Sequence, residues 1–133
     1  MKYEILEHKA DLKIRAIGKD LKELFLNSMI GMFESAKYEG KGKEMKREIK
    51  ISSSDLPSLL VDFLSESLYL CEINKEVYHQ IQFKNLTEKK LGGTLTGKKL
   101  ERMGVQIKGV TYHDLDIRQR KDGIWQATIL FDI

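Results

Sequence analysis

Cysteine is nearly absent from this chain. Cys71 stands alone, which excludes an internal disulfide and a cysteine-based zinc site within one molecule. Proline is equally scarce. Pro57 is the only one, and ten glycines in 133 residues do not make a disordered or low-complexity composition. No stretch approaches the roughly 18 consecutive apolar residues of a membrane span. The opening MKYEILEHKAD carries Glu4 and Glu7 where a signal peptide needs an apolar run. An excess of one charge is missing too. Twenty-three basic residues face 20 acidic ones, and a net +3 is too small to imply nucleic-acid binding, though a pI near 8.9 leaves it open. These absences lead to the expectation of a soluble, cytoplasmic protein with no membrane association.

What is present is an ordinary globular composition, 41% hydrophobic and 32% charged. The length suits a single domain over residues 1–133 with a sizeable core. Residues 3–8 and 12–17 alternate as a hairpin: Tyr3 and Ile5, then Leu12, Ile14 and Ala16, interleave with charge. Asp20 with Glu23 forms a capping-box pattern. Leu21, Leu24, Phe25, Met29, Met32 and Phe33 then follow at helical spacing. KYEGKGKEMK reads as a charged loop and REIKIS as a strand. SSSDLPSLLVDFLSESLYLCEINK reads as a second helix, capped by Ser54 or Asp55, with Pro57 in its first turn and Cys71 on its buried stripe. VYHQIQF places Val77, His79, Ile81 and Phe83 on one face, which makes His79 a packed histidine. Two more strands flank GGT, and VQIKGVTYH follows. The end reads as a hairpin that turns at Asp122-Gly123. Two helices among antiparallel strands predict an α+β fold, with the helices packed on a mainly antiparallel sheet.

Several motifs invite a chemical reading. GGTLTGKK has the spacing of a phosphate-binding loop, but Lys99 stands where that loop needs Ser or Thr. The polar TEKKL before it and the short LERMG after it also lack the strand and helix that such a loop joins, so a strand is the better account. The basic cluster Lys41, Lys43, Lys46, Arg47 and Lys50 is interleaved with Glu39, Glu44 and Glu48, and reads as a solvated loop rather than an RNA platform. His8 and His113 each sit at a strand end near an acid, Asp11 and Asp114. His8 also fits a plain turn residue.

The carboxylates carry more. Asp11 opens the second strand and Asp132 closes the last, both on the polar face. If the two ends met, they would form a hard-oxygen corner suited to Ca²⁺, Mg²⁺ or Mn²⁺. Ile133 would add a carbonyl or α-carboxylate oxygen. Without a cation such a corner repels itself. The pattern alone leaves open whether the ends meet.

Taken in order, these segments resemble the archease family. EHKADLKIRAIGKDLKELFLNSMIGMF is similar to its opening strand, glycine and first helix. LLVDFLSESLYLCE is similar to its second helix, IKGVTYHDLDI to its Val-Thr-Tyr-His stretch, and GIWQATILFDI to its last strand. The resemblance implies an accessory protein rather than an enzyme. Its partner would be an RtcB-type RNA ligase, which uses GTP and divalent metal to join RNA ends in tRNA splicing. The protein would promote guanylylation and turnover of that ligase, and reach tRNA only through it. The resemblance carries the metal ligands to Asp11, Asp132 and Ile133. It leaves His8, Glu66 and His113 as supporting or contact residues. Residues appended after Ile133 are then expected to impair the site. Two departures stand out: Lys9 replaces the usual Thr, and Ser65 the usual Asn.

Two other readings remain. One is a metal-independent binding module or chaperone-like modulator of nucleic-acid-processing proteins. The other is a hydrolase using His8 with Asp11 or His113, for which the chain offers no recognisable nucleophile.

Overall fold

The computed structural model describes residues 2–8 and 11–133, except for the side chains of Glu7 and His8. Nine elements follow in chain order: β1 Tyr3–His8, β2 Asp11–Gly18, α1 Leu21–Ser35, β3 Glu39–Ser52, α2 Leu56–Asn74, β4 Glu76–Leu86, β5 Lys90–Arg102, β6 Gly109–Gln119 and β7 Trp125–Asp132. The strands form two antiparallel sheets where the sequence pattern suggested one. Their orders are β1-β2-β7-β6 and β3-β5-β4. Each helix touches both sheets: α1 packs on β2 and β4, and α2 on β6 and β4. The helices are thus a middle layer.

That position explains α1. Its buried residues run almost without interruption from Leu24 to Phe33 and include Asn27, Ser28 and Gly31. A helix covered on several sides has no broad polar face. The polar side chains inside it are satisfied locally. Asn27 Nδ2 donates to the Ile17 carbonyl at 2.8 Å, and Ser28 Oγ to the Leu24 carbonyl at 2.8 Å. The caps match the expected residues. Asp20 Oδ1 accepts from the Glu23 amide, and Asp55 Oδ1 from the Ser58 amide, each at 2.8 Å. The return bond from Glu23 reaches the Lys19 amide, one residue before the cap.

Three sequence expectations need correction. The stretch expected to be a charged loop, with its basic cluster, belongs to β3. A register shift between Lys41 and Glu44 absorbs the irregularity, with Gly42 at φ 100°. Alternating Lys and Glu suits an exposed edge strand as well as a loop. Second, GGTLTGKK is neither a phosphate loop nor a gap between two strands. It is the middle of β5, the central strand of its sheet. Its glycines let β4 approach closely: a Cβ at Gly93 would lie 2.5 Å from the Gln82 carbonyl oxygen, and one at Gly97 2.4 Å from that of Val77. Third, His79 is not packed. A register shift between Tyr78 and Gln80 turns it outward, with Nε2 3.4 Å from Glu44 Oε2.

Where α2 passes into β4, a charged residue is buried. Glu76 is 2% exposed. Both its oxygens are held by Arg47, at 2.9 and 2.7 Å, and Tyr78 donates its hydroxyl at 3.0 Å. The Arg47 hydrogen bonds hold the Glu76 carboxyl below its ordinary value of 4.5. Its contribution is therefore complete above that pH and is lost as pH falls through the depressed value. Glu76→Ala should cost about 2 kcal/mol in denaturant unfolding, because it strands a half-buried guanidinium. Glu76→Gln should flatten the stability–pH curve below about pH 4.5, relative to wild type. Cys71 is 1% exposed and burial pushes its thiol up to about 12. It should stay unreactive toward a thiol reagent at neutral pH until the chain unfolds.

Candidate metal centre

The pairing of β2 with β7 builds this site. Leu12 opposes Phe131, Ile14 opposes Ile129 and Ala16 opposes Ala127. All six are buried against the helix layer. A slip of one residue would turn this whole set to solvent, so burial fixes the register. The same register sets Asp11 directly opposite Asp132, on the face turned away from the helices. Cβ atoms of residues so opposed stand roughly 4.5–5.5 Å apart, and like charges there are destabilising.

Among the described residues, no Lys or Arg forms an ion pair with either carboxylate. Lys13 follows Asp11 on the same face, but its Nζ lies 3.5 Å from Asp114 Oδ2. On the other flank Asp132 opposes Gly109 of β6, and the Lys108 amide donates to the Asp132 carbonyl at 2.8 Å. A Cβ at Gly109 would meet nothing within 4 Å, so the space beside Asp132 is open. Ile133 packs its side chain partly on the core, which sets its main chain next to the pair.

The other candidates fall in different places. The His8 side chain and Lys9 lie outside the described residues. His113 sits on a bulge of β6. Thr111 opposes Leu130 and Asp116 opposes Thr128, so residues 112–115 have no partner on β7. Asp114 holds a left-handed φ of 57° there, with His113 Nε2 3.7 Å from its carboxylate. Tyr112 on the same bulge is 57% exposed. His113 thus engages Asp114, not the acid pair. Glu66 is elsewhere: it lines a groove between α2 and β3 with Lys50, Ser52, Asp62 and Tyr69. The sequence reading missed the Lys13–Asp114 contact. The one local signal was the adjacent polar residues His113 and Asp114, which break the strand's alternation.

Among the described residues, no group of three or more His, Cys, Asp or Glu side chains forms a metal cluster. The donor set is therefore two opposed carboxylates and the main-chain oxygen that Ile133 can add. It contains only hard oxygens, which fits a Ca²⁺, Mg²⁺ or Mn²⁺ ion and not a soft metal.

Comparison with known proteins places the chain in a family. The model of the Archease protein family matches residues 3–133. The chain belongs to the archease family. Protein archease of Methanosarcina acetivorans is 38% identical over 141 aligned residues, covering 99% of this chain and 96% of its own. That of Pyrococcus abyssi is 35% identical over 140, covering 99% of each. The solution structure of Methanobacterium thermoautotrophicum protein 1598 superposes with a TM-score of 0.68 at 28% identity, over 99% of both chains. The crystal structure of an archease described as a possible chaperone, from Thermotoga maritima, gives 0.71 at 19% identity, over 96% of this chain and 94% of that one. At that identity the likeness is one of fold. The archease fold is thus two helices packed on antiparallel sheets.

In the presence of a chelator, Asp132→Asn removes one of two opposed charges. It should raise the melting temperature by about 2 °C, from roughly 0.5 kcal/mol of relieved repulsion. Differential scanning calorimetry of the two proteins at neutral pH checks this.

Proposed function

We propose that this protein is an accessory factor that promotes guanylylation of an RtcB-type RNA ligase in the cytoplasm, and so keeps the ligase turning over in tRNA splicing. The observation that carries the reading is the direct opposition of Asp11 and Asp132, two like charges on neighbouring strands. Membership of the archease family supports it. Asp11, Asp132 and the main-chain oxygen of Ile133 would hold a divalent ion, Ca²⁺, Mg²⁺ or Mn²⁺. When bound, the ion supplies positive charge where negative charge develops on a nucleoside triphosphate.

The chain's own residues supply the rest. The buried rows Leu12–Phe131 and Ile14–Ile129 fix the register in which the two carboxylates face outward. Open space at Gly109 leaves Asp132 accessible to a partner. The bulge presents Tyr112 and His113 beside that space, as contact residues for the ligase. Lys13 pairs with Asp114 of the bulge. In this role the ligase is what acts on tRNA.

A second reading is a metal-independent, chaperone-like modulator of nucleic-acid-processing proteins. The exposed apolar side chains Tyr112, Met103 and Val105 favour it. Titration calorimetry separates the two, because the second requires no divalent-ion binding.

The deciding experiment incubates the ligase with GTP and metal, and follows the covalent ligase–GMP adduct with and without this protein. Wild type should accelerate adduct formation. Asp11→Ala and Asp132→Ala should each lose about tenfold or more of that acceleration. Equal activity of the Asp132→Ala protein would overturn the assignment.

A further inference from the structure

The outer face of the three-stranded sheet has no part in the acid site. Its inward row is buried and apolar, with Ile49, Leu91, Leu95 and Ile81 against the helices. The outward rows run across all three strands. Lys46, Thr96 and Gln80 form one; Glu48, Thr94 and Gln82 the next; Lys50, Gly92 and Asn85 the third. Ser52 opposite Lys90 closes the series.

Positive charge dominates these rows. The same face continues to Glu44, opposite Lys98 and 3.4 Å from His79 Nε2; Glu48 is the one carboxylate in the rows named, and it is already engaged. Thr94 Oγ1 donates to it at 2.7 Å and Lys84 Nζ lies 3.6 Å away. The Thr94 hydrogen bond, then Lys84, hold its carboxyl below the usual range. Among the described residues, Lys50 and Lys90 form no ion pair. Lys50, Lys84 and Lys90 line a groove of about 450 Å³ with Gly92 and Gly93 in its floor and Asn85 on its wall. The glycine keeps that floor low: a Cβ at Gly92 would sit 2.5 Å from Asn85 Oδ1.

The chemistry of this groove is selective. Ammonium groups neutralise phosphates. Exposed amide donors such as Asn85, Gln82 and Gln80 suit phosphate and sugar oxygens. No aromatic side chain stands in these rows, and Tyr69, which lines the adjoining groove with Lys50 and Ser52, belongs to α2, so bases have no stacking platform on the strands themselves. No apolar side chain projects from them either, as a surface helix entering a bilayer would need. We propose that the outer face of the β3-β5-β4 sheet binds the phosphodiester backbone of single-stranded nucleic acid without regard to sequence. The binding is independent of the acid pair. The helix layer separates the two sheets, so the outer faces point away from each other.

The test is fluorescence anisotropy with labelled oligouridine and its DNA counterpart. The expected dissociation constant lies at roughly 10⁻⁴–10⁻⁶ M, and log affinity should fall against log salt with a slope of about −2 for three lysine contacts. The triple variant Lys50→Gln, Lys84→Gln, Lys90→Gln should bind about tenfold more weakly and lose most of that slope. A control triple, Lys19→Gln, Lys22→Gln, Lys121→Gln, removes the same charge elsewhere and should bind like wild type. Amide chemical-shift changes in the wild-type protein, which do not depend on any variant folding, should fall within residues 46–52 and 80–94. Equal weakening by both triples would overturn the proposal. So would shift changes on another face, absence of binding, or binding only to vesicles containing phosphatidylserine. None of these outcomes bears on the guanylylation assay.

Discussion

The antiparallel pairing of β2 with β7 is the constraint on which the rest depends. It joins the two ends of the chain in the middle of one sheet, so that Leu12, Ile14 and Ala16 meet Phe131, Ile129 and Ala127 under the helices. Apolar burial of that kind is worth roughly 1.5–3 kcal/mol for each large side chain. Opposing two aspartates costs at most about 1 kcal/mol. The core therefore dictates the register, and the acids occupy the positions it leaves them. A locally unfavourable pair persists because the surrounding structure over-determines it.

The middle position of the helices has a second effect. α1 and α2 are covered by sheet on both sides, so the molecule turns two polar sheet faces to solvent in opposite directions. They are chemically unlike. One carries Asp11, Asp132 and the Asp114 bulge beside Lys13 and Arg15, and the other carries Lys46, Lys50, Lys84 and Lys90 beside Glu48. A nearly balanced net charge conceals this separation, since a sum has no direction. The single buried carboxylate of the helix–sheet junction, Glu76, is matched by a bidentate guanidinium, which keeps the interior free of unpaired charge.

Local signals in the sequence proved dependable where the physics is local. The caps Asp20 and Asp55, Pro57 in the first turn of α2, the buried Cys71 and the Asp122-Gly123 turn all depend on near neighbours. Non-local choices were not legible. Nothing in REIKIS or VYHQIQF says that their strands leave the sheet of β2 and β7 and form another. Charge alternation in KGKEMKRE fits an exposed loop and an exposed edge strand equally well, and tertiary pairing decides between them. His79 was misplaced because a bulge shifts the strand's period by one residue, and β4 gives no local cue for it. For the acid site, the period of two gave the outward direction of Asp11 and Asp132. Their meeting came only from family resemblance, until the register placed them face to face. Lys13 and Asp114 were missed because the bulge that brings them together is itself a tertiary feature.

The β2–β7 pairing also has a kinetic side. It closes the longest loop available to the chain, and contacts of such separation are among the last to gain from local structure already formed. Hairpins such as β1–β2 and β6–β7 can assemble from neighbours, but Asp11 faces Asp132 only when the first hairpin docks beside the last. The acid pair is thus a marker of completed folding. Intermediates with much of their secondary structure in place would carry both carboxylates and still lack the site.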